Sequence, residues 1–308
     1  MLPIAPLFVP GNRADMLSKV TNFNARWIVP DLEDSVPVTE KETARFITKS
    51  AIPDLVKAGK KVVPRVNSLK TVFFHDDLKS VVVEGIIGIS IGKIDSDEDV
   101  YMVEKHLSET ETEYGLEVGS ISLLIWIETA KGLSNVTKIF SASDRIKWAA
   151  FGAEDFCADM GILRDTDMEI NANESNLIHP RSSIAIAAKV AGIHAIDTPY
   201  TSYKDKEGLL SEVKLAKAFG YRGKFAIHPD QVKVINESFY PNDEEIRWAS
   251  KIVSAAKRSN KSGIGAIGVD GKMIDTPVIL RAENILKLIS KSLPRNSIIL
   301  LTSNSIFF

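Results

Sequence analysis

Short apolar runs alternate with amphipathic stretches along most of the chain. The runs fall at 4–9, 27–29, 61–66, 85–91, 121–127, 147–151, 194–196 and 225–227, each bounded by polar residues. Runs this short and this apolar predict buried parallel strands. Between them, 15–23, 39–58, 97–113, 133–141, 174–191 and 206–219 carry helical spacing, 73–82 forms a mixed helical connector, and 231–237 opens a last crossover helix. Ser96 suits an N-cap, Gly220 a C-cap, and Pro53 a kink or break in its helix. Eight β–α units within residues 1–240 predict a TIM (β/α)8 barrel. The competing open, doubly wound sheet normally carries a glycine-rich phosphate turn after its first strand, and PGNR at 10–13 is not one.

Residues 241–308 fall outside this alternation and form a C-terminal extension. Helical stretches at 243–258 and 278–290 flank the segment GIGAIGVDGKMIDTP. Its glycines at 263, 265, 268 and 271 suit turns and a flap that closes over an active site. GVDG equally suits a plain surface hairpin.

Polar groups gather just after the predicted strands: Asn12 and Arg13, then Asp31, Glu33 and Asp34, then Arg65 and Asn67. Lys93, Glu128, Glu154 with Asp155, Asp197 and His228 continue the series. In a barrel these positions open onto one face, where such enzymes keep their chemistry. Glu128 and Asp155 follow neighbouring strands and together can share one divalent ion, since Mg²⁺ takes one or two protein carboxylates and fills its shell with water and substrate. Each alone fits a helix N-cap or an ion pair as well; the pair favours metal. Arg65 offers a planar fork for a carboxylate or a developing oxyanion, or a salt bridge to the acids of DLEDS, and both can hold at once. Lys93 reads equally as substrate-facing charge and as a solvated lysine. His228, at a strand end, reads as a turn residue or as a substrate contact, with the turn favoured.

Composition narrows the partners. The 308 residues are 44% apolar and 25% charged, ordinary for a globular protein, and a net charge of −2 gives no basic field for nucleic acid. Cys157 is the single cysteine, so no intrachain disulfide forms, and its surroundings suit packing. No secretory leader or membrane-length run is visible, and the tail SIILLTSNSIFF is too short to span a bilayer. A cytoplasmic location is expected, with no membrane partner.

LFVPGNR, DLEDSV, KVVPRVN, IETAKGL, FGAEDF, KFAIHPDQV and GVDGKMIDTPV resemble, in order, the motifs of the citrate lyase beta-subunit-like and malyl-CoA lyase family, within the citrate lyase/aldolase superfamily. The resemblance runs from about residue 5 to residue 289. It implies a TIM barrel that binds Mg²⁺, with Mn²⁺ as a substitute. It also implies reversible cleavage of a 3-hydroxyacyl-CoA thioester into acetyl- or propionyl-CoA and a 2-oxo acid, by a homotrimer or hexamer. Carried over, Glu128 and Asp155 are the metal ligands, with Glu128 also at the substrate, and Arg65 contacts the substrate. Asp275 of GKMID is the acid–base group, brought to a neighbouring subunit's site. The CoA phosphates fall near Asn12, Arg13 and Lys19. Two segments depart from the pattern. ISIGKIDS lacks the family's usual proline before Lys93 and glutamate after it, which predicts a looser loop. His179-Pro180 starts a helix where relatives carry small or aromatic residues. A CoA-free aldolase, a thioesterase side activity and a non-catalytic CoA-binding subunit are the alternatives.

Overall fold

The structure is a computed structural model that describes residues 2, 4–163, 175–260 and 267–290. The chain divides into two compact units, Met1–Phe239 and Tyr240–Phe308. In the first unit the strands are β1 (Leu7–Pro10), β2 (Trp27–Asp31), β3 (Lys61–Val62), β4 (Arg65–Val66), β5 (Gly88–Ile91), β6 (Ser122–Ile127), β7 (Ile146–Phe151), β8 (His194–Asp197) and β9 (Gly223–Lys224). They pair in parallel in the order β1-β2-β4-β5-β6-β7-β8-β9, with β3 also on β2. β3 and β4 are halves of one stave, interrupted at Pro64, which has no N–H for the ladder. The ring closes where Phe8 N–H donates to Ala226 O and Ala226 N–H donates to Pro6 O, both at 2.9 Å. The last stave therefore starts at Gly223, two residues before its expected position at 225.

Helices α1 (Ala14–Lys19), α2 (Lys41–Lys57), α3 (Phe74–Val81), α4 (Asp97–Glu113), α5 (Ala130–Ser134), α6 (Val136–Phe140), α7 (Ala153–Met160), α8 (Ser175–Val190), α9 (Lys206–Phe219) and α10 (Pro229–Phe239) connect the staves. Ser96 caps α4 by accepting from Asp99 N–H at 3.3 Å, and Gly220 ends α9 in the left-handed region at φ 96°. Pro53 does not break α2; it lies near the C-terminal end, between the fully buried Ile52 and Leu55. The helix expected at 133–141 is two short ones. Thr129 Oγ1 accepts from Gly132 N–H at 2.9 Å and starts the first of them early.

Strand residues alternate between two cores, as the period of two requires. Ile89, Ile91, Leu123, Ile125, Ile127 and Phe151 belong to the large aliphatic core, while Trp27, Val29, Val63, Leu124, Trp126, Trp148, Ala150, Ile196 and Phe225 fill the barrel. Trp126 stacks on Phe225 at 4.5 Å, and its indole N–H donates to Ser90 Oγ at 2.7 Å. Counting on by two from the interior residues leads to Asp31, Arg65, Glu128, Gly152 and Thr198 at the C-terminal mouth.

The same count removes one expected mouth residue. Asp197 has the opposite parity and faces the outer layer, where Arg181 Nε lies 3.2 Å and Lys224 Nζ 2.7 Å away. Glu212 completes this cluster, 2.6 Å from Arg181 Nη2 and 2.9 Å from Lys224 Nζ. Arg181, Asp197 and Lys224 are fully buried. Asp197→Ala leaves two buried cations short of a partner. It is expected to destabilise the barrel by about 3–5 kcal/mol, measured as a lower urea midpoint.

The second unit contains α11 (Asp243–Asn260), β10 (Ile267–Val269), β11 (Lys272–Ile274) and α12 (Thr276–Ser290), around Ala249, Ile252, Ile274 and Ala282. β10 and β11 form an antiparallel hairpin whose central residues, Asp270 and Gly271, have φ 51° and 73°. That is the type I′ geometry of a two-residue hairpin. The flap glycines 263 and 265, the loop at 164–173 and the tail at 297–308 lie outside the described residues.

Candidate active site at the barrel mouth

The mouth is organised by the turn after β2. Asp31 Oδ1 accepts from Glu33 N–H at 3.0 Å and Oδ2 from Ser35 N–H at 3.1 Å, which folds DLEDS back over the strand end. Lys41 locks the turn by donating to Leu32 O at 2.6 Å, Glu33 O at 2.7 Å and Asn67 Oδ1 at 2.8 Å. Asn67 Nδ2 in turn donates to Leu32 O at 2.8 Å and to Asp77 Oδ2 at 2.6 Å.

Arg65 is held by this turn. Its Nε and Nη2 grip the two oxygens of Asp31 at 2.6 Å each, Nη1 donates to Asp34 Oδ2 at 2.9 Å, and the guanidinium lies 4.9 Å above the Phe8 ring. Burial, the largest influence, would raise the Asp31 carboxyl, but the charge and hydrogen bonds of Arg65, with the bonds from Ser35 and Glu33, together outweigh it and hold the group below its ordinary value. Burial also opposes the charge on Arg65; Asp31, Glu33 and Asp34 overcome it and keep the guanidinium protonated. Three of its five N–H groups are committed to Asp31 and Asp34, leaving two to donate elsewhere.

Glu128 is 2% exposed. Two glycines make room for it: a Cβ at Gly152 would stand 2.5 Å from Glu128 Cγ, and one at Gly92 would collide with Oε2. Lys93 N–H donates to Oε2 at 2.8 Å. Burial, then the charges of Glu33 and Asp155, push this carboxyl up to about 8. Asp155, in the first turn of α7, is also raised, by burial, with Lys93 pulling the other way. Glu33 is raised by burial too; its Oε2 lacks an aligned donor although Arg65 Nη1 is 3.3 Å away.

Lys93 closes the arrangement. It sits at φ 59°, a left-handed backbone that costs a side-chain-bearing residue about 1–2 kcal/mol. Its ammonium lies 3.2 Å from Glu33 Oε1, 3.7 Å from Asp34 Oδ1 and 3.8 Å from Asp155 Oδ1. The loop expected to be loose is thus tied at both ends of one residue, through its N–H and its Nζ.

Five carboxylates, Asp31, Glu33, Asp34, Glu128 and Asp155, meet the cationic side chains of Arg65 and Lys93 at this mouth. That excess of acid, with Glu128 and Asp155 both raised, is the electrostatics of a site that gains from a cation. Among the described residues no group of three or more His, Cys, Asp or Glu is arranged to hold a metal. Glu128 and Asp155 offer oxygen donors alone, which suits Mg²⁺ rather than a closed zinc cage. Glu128 and Asp155 fit Mg²⁺ on that chemistry.

The other expected site residues are placed as follows. Asn12 Nδ2 donates to Glu40 Oε2 at 2.5 Å, Arg13 pairs with Asp15 at 2.9 Å, and Lys19 lies 3.8 Å from Asp15. Asp275 belongs to the second unit, where its Oδ1 accepts from Val278 N–H at 3.3 Å at the start of α12. His228 is a turn residue whose Nδ1 accepts from Asp230 N–H at 3.3 Å, and its ring stacks on Tyr203 at 5.0 Å. Sequence reasoning left the roles of Gly92 and Gly152 unread. A glycine next to a strand-end position was the available signal.

Eight parallel staves with ionisable groups gathered at one mouth, from the C-terminal ends of β2, β4, β5, β6 and β7, define a (β/α)8-barrel protein with the layout of an enzyme. The chain belongs to the HpcH/HpaI aldolase/citrate lyase family, whose model matches residues 5–229. It is 35% identical over 282 residues to the citrate lyase subunit beta of Leuconostoc mesenteroides subsp. cremoris, covering 92% of this chain and 91% of that one. It is 30% identical over 294 residues to the mitochondrial citramalyl-CoA lyase of Rattus norvegicus, covering 92% and 85%. Its fold is similar to that of CitE from Mycobacterium tuberculosis, solved in complex with magnesium, acetoacetate and coenzyme A. The TM-score is 0.76 and the identity 26%, over 93% of this chain and 97% of that one. No described helix is long and apolar enough to cross a membrane.

Proposed function

We propose that this chain is a Mg²⁺-dependent carbon–carbon lyase that cleaves a 3-hydroxyacyl-CoA into an acyl-CoA and a 2-oxo acid, and joins them in the reverse, Claisen-type direction. The substrate belongs to the set of malyl-, methylmalyl-, citramalyl- and citryl-CoA. The observation that carries the reading is Glu128: a buried carboxyl in a glycine-lined cradle, raised to about 8 beside Asp155 and the Arg65 fork. The relatives named citrate lyase and citramalyl-CoA lyase, and the neighbour with bound magnesium and coenzyme A, support the class.

Glu128 and Asp155 hold the ion, which when bound supplies a Lewis acid for the oxygens of the oxo-acid half. Arg65 turns its two uncommitted N–H groups to negative charge on the substrate. In cleavage the 3-hydroxyl proton leaves to solvent, the C–C bond breaks to the 2-oxo acid and the acyl-CoA enolate, and Asp275 gives a proton to the α-carbon; in the condensing direction Asp275 removes that α-proton and the new hydroxyl takes one from solvent. Asn12, Arg13 and Lys19 take the CoA phosphates. The protein works in the cytoplasm as a homotrimer or hexamer, with Asp275 supplied to a neighbouring subunit's site.

The four CoA esters, each incubated with Mg²⁺, test this by release of 2-oxo acid. EDTA-sensitive release from at least one is expected. Asp275→Asn is expected to lower that turnover about 10²–10⁴-fold with Mg²⁺ binding unchanged. No release from any of the four by Mg²⁺-loaded protein rejects the reading.

A further inference from the structure

Lys93 follows β5 with a backbone that lysine rarely adopts, at φ 59°. The twist gives one residue two points of contact in the mouth. Its N–H holds Glu128 Oε2 at 2.8 Å, while its ammonium stands 3.2, 3.7 and 3.8 Å from Glu33, Asp34 and Asp155. Arg65 is committed elsewhere, by a two-point grip of 2.6 Å on Asp31. The longer contacts of Lys93, on a side chain 37% exposed, leave its ammonium freer to move than that guanidinium. A cation held by Asp155 has to share that carboxylate with the ammonium or displace it. Like charges this close repel, even with water screening part of the interaction.

We propose that Lys93 is a built-in counter-cation that balances Glu33, Asp34 and Asp155 in the metal-free protein and competes with the divalent ion, so that it sets the metal affinity of the site. The inference rests on Glu128 and Asp155 being the metal pair. Lys93 is a positioning residue in this role. It explains why a lysine occupies a left-handed position that glycine would fill without strain: the charge, not the backbone, requires it.

Two variants separate the parts. Lys93→Met keeps the aliphatic stem and loses the charge. Lys93→Gly also loses the charge, keeps the N–H to Glu128 and relaxes the backbone. Mg²⁺ is titrated calorimetrically into the full chain as wild type, as both variants and as Glu128→Gln. Both Lys93 variants are expected to bind Mg²⁺ at least fivefold more tightly than wild type. Metal-free Lys93→Met is expected to melt lower than wild type, and both variants are expected to show a larger upward shift than wild type on adding Mg²⁺. Damage to packing weakens binding, so a gain in affinity isolates the charge; if Lys93→Met does not fold, Lys93→Gly carries the test. Unchanged or weaker binding by Lys93→Gly, with wild type binding and Glu128→Gln not, overturns the counter-cation and leaves the metal pair standing. Mg²⁺ held equally by wild type and Glu128→Gln, or by neither, overturns the pair and the role of Lys93 with it.

Discussion

Glu128→Gln is expected to abolish Mg²⁺ binding and to cut lyase turnover by about 10³-fold or more, the scale of losing a charge-stabilising group from a dry site. The substitution keeps shape and burial, so a folded, inactive protein is the expected result. The same residue gives the site a pH signature. Its carboxyl titrates near 8 in the folded, metal-free protein, against an ordinary 4.5. The folded state therefore binds a proton that the unfolded chain releases between those values. The resulting stabilisation is complete below about 4.5 and is lost as the pH rises through about 8, a swing of a few kcal/mol at most. Glu128→Gln is expected to flatten that slope in metal-free melts. Mg²⁺ needs the ionised carboxylate, so its affinity rises with pH up to about 8, and near pH 7 each ion expels roughly one proton. Calorimetry in two buffers of different ionisation enthalpy measures that proton. Its absence, or full activity in Glu128→Gln, would remove Glu128 from the metal site.

Arg65→Lys is the second large effect. The charge survives but the fork does not. One ammonium cannot hold both oxygens of Asp31 at 2.6 Å, reach Asp34 and still donate to a substrate. A fall of about 10²–10³ in kcat is expected. Arg65→Met goes further and leaves Asp31, 1% exposed, without its counter-ion; a loss of about 3–5 kcal/mol in stability is expected there. Steady-state kinetics for the lysine variant and urea unfolding for the methionine variant measure the two roles apart. Near-normal kcat in Arg65→Lys would confine Arg65 to holding the turn.

Much of this is legible in the sequence. Eight apolar runs gave the staves because a strand buried on both faces has to be apolar throughout, and the carboxylates of Glu128 and Asp155 stood out by closing such runs. Boundaries were less legible. The 61–66 run does not show that Pro64 splits its stave, and nothing in 133–141 shows that Thr129 caps a helix starting three residues earlier, at Ala130. Asp197 looked like Glu128, an acid at a strand end, yet it pairs with Arg181 and Lys224 behind the barrel. One residue of register moves a side chain from one face of a sheet to the other, and a run apolar on both faces carries no alternation from which to read that register.

The barrel, its order of units and the chemical types available at its mouth follow from the residues alone, because periodicity and burial are local properties of the chain. Which acids face one another was decided only by the tertiary structure. Curling the sheet set Asp31 opposite Arg65, put Glu128 between Gly92 and Gly152, and brought the ammonium of Lys93 among Glu33, Asp34 and Asp155. These residues are separated by up to 124 positions, from Asp31 to Asp155. Their coupling arises from the removal of water and from distances of 2.6–3.8 Å, which exist only once the barrel has closed.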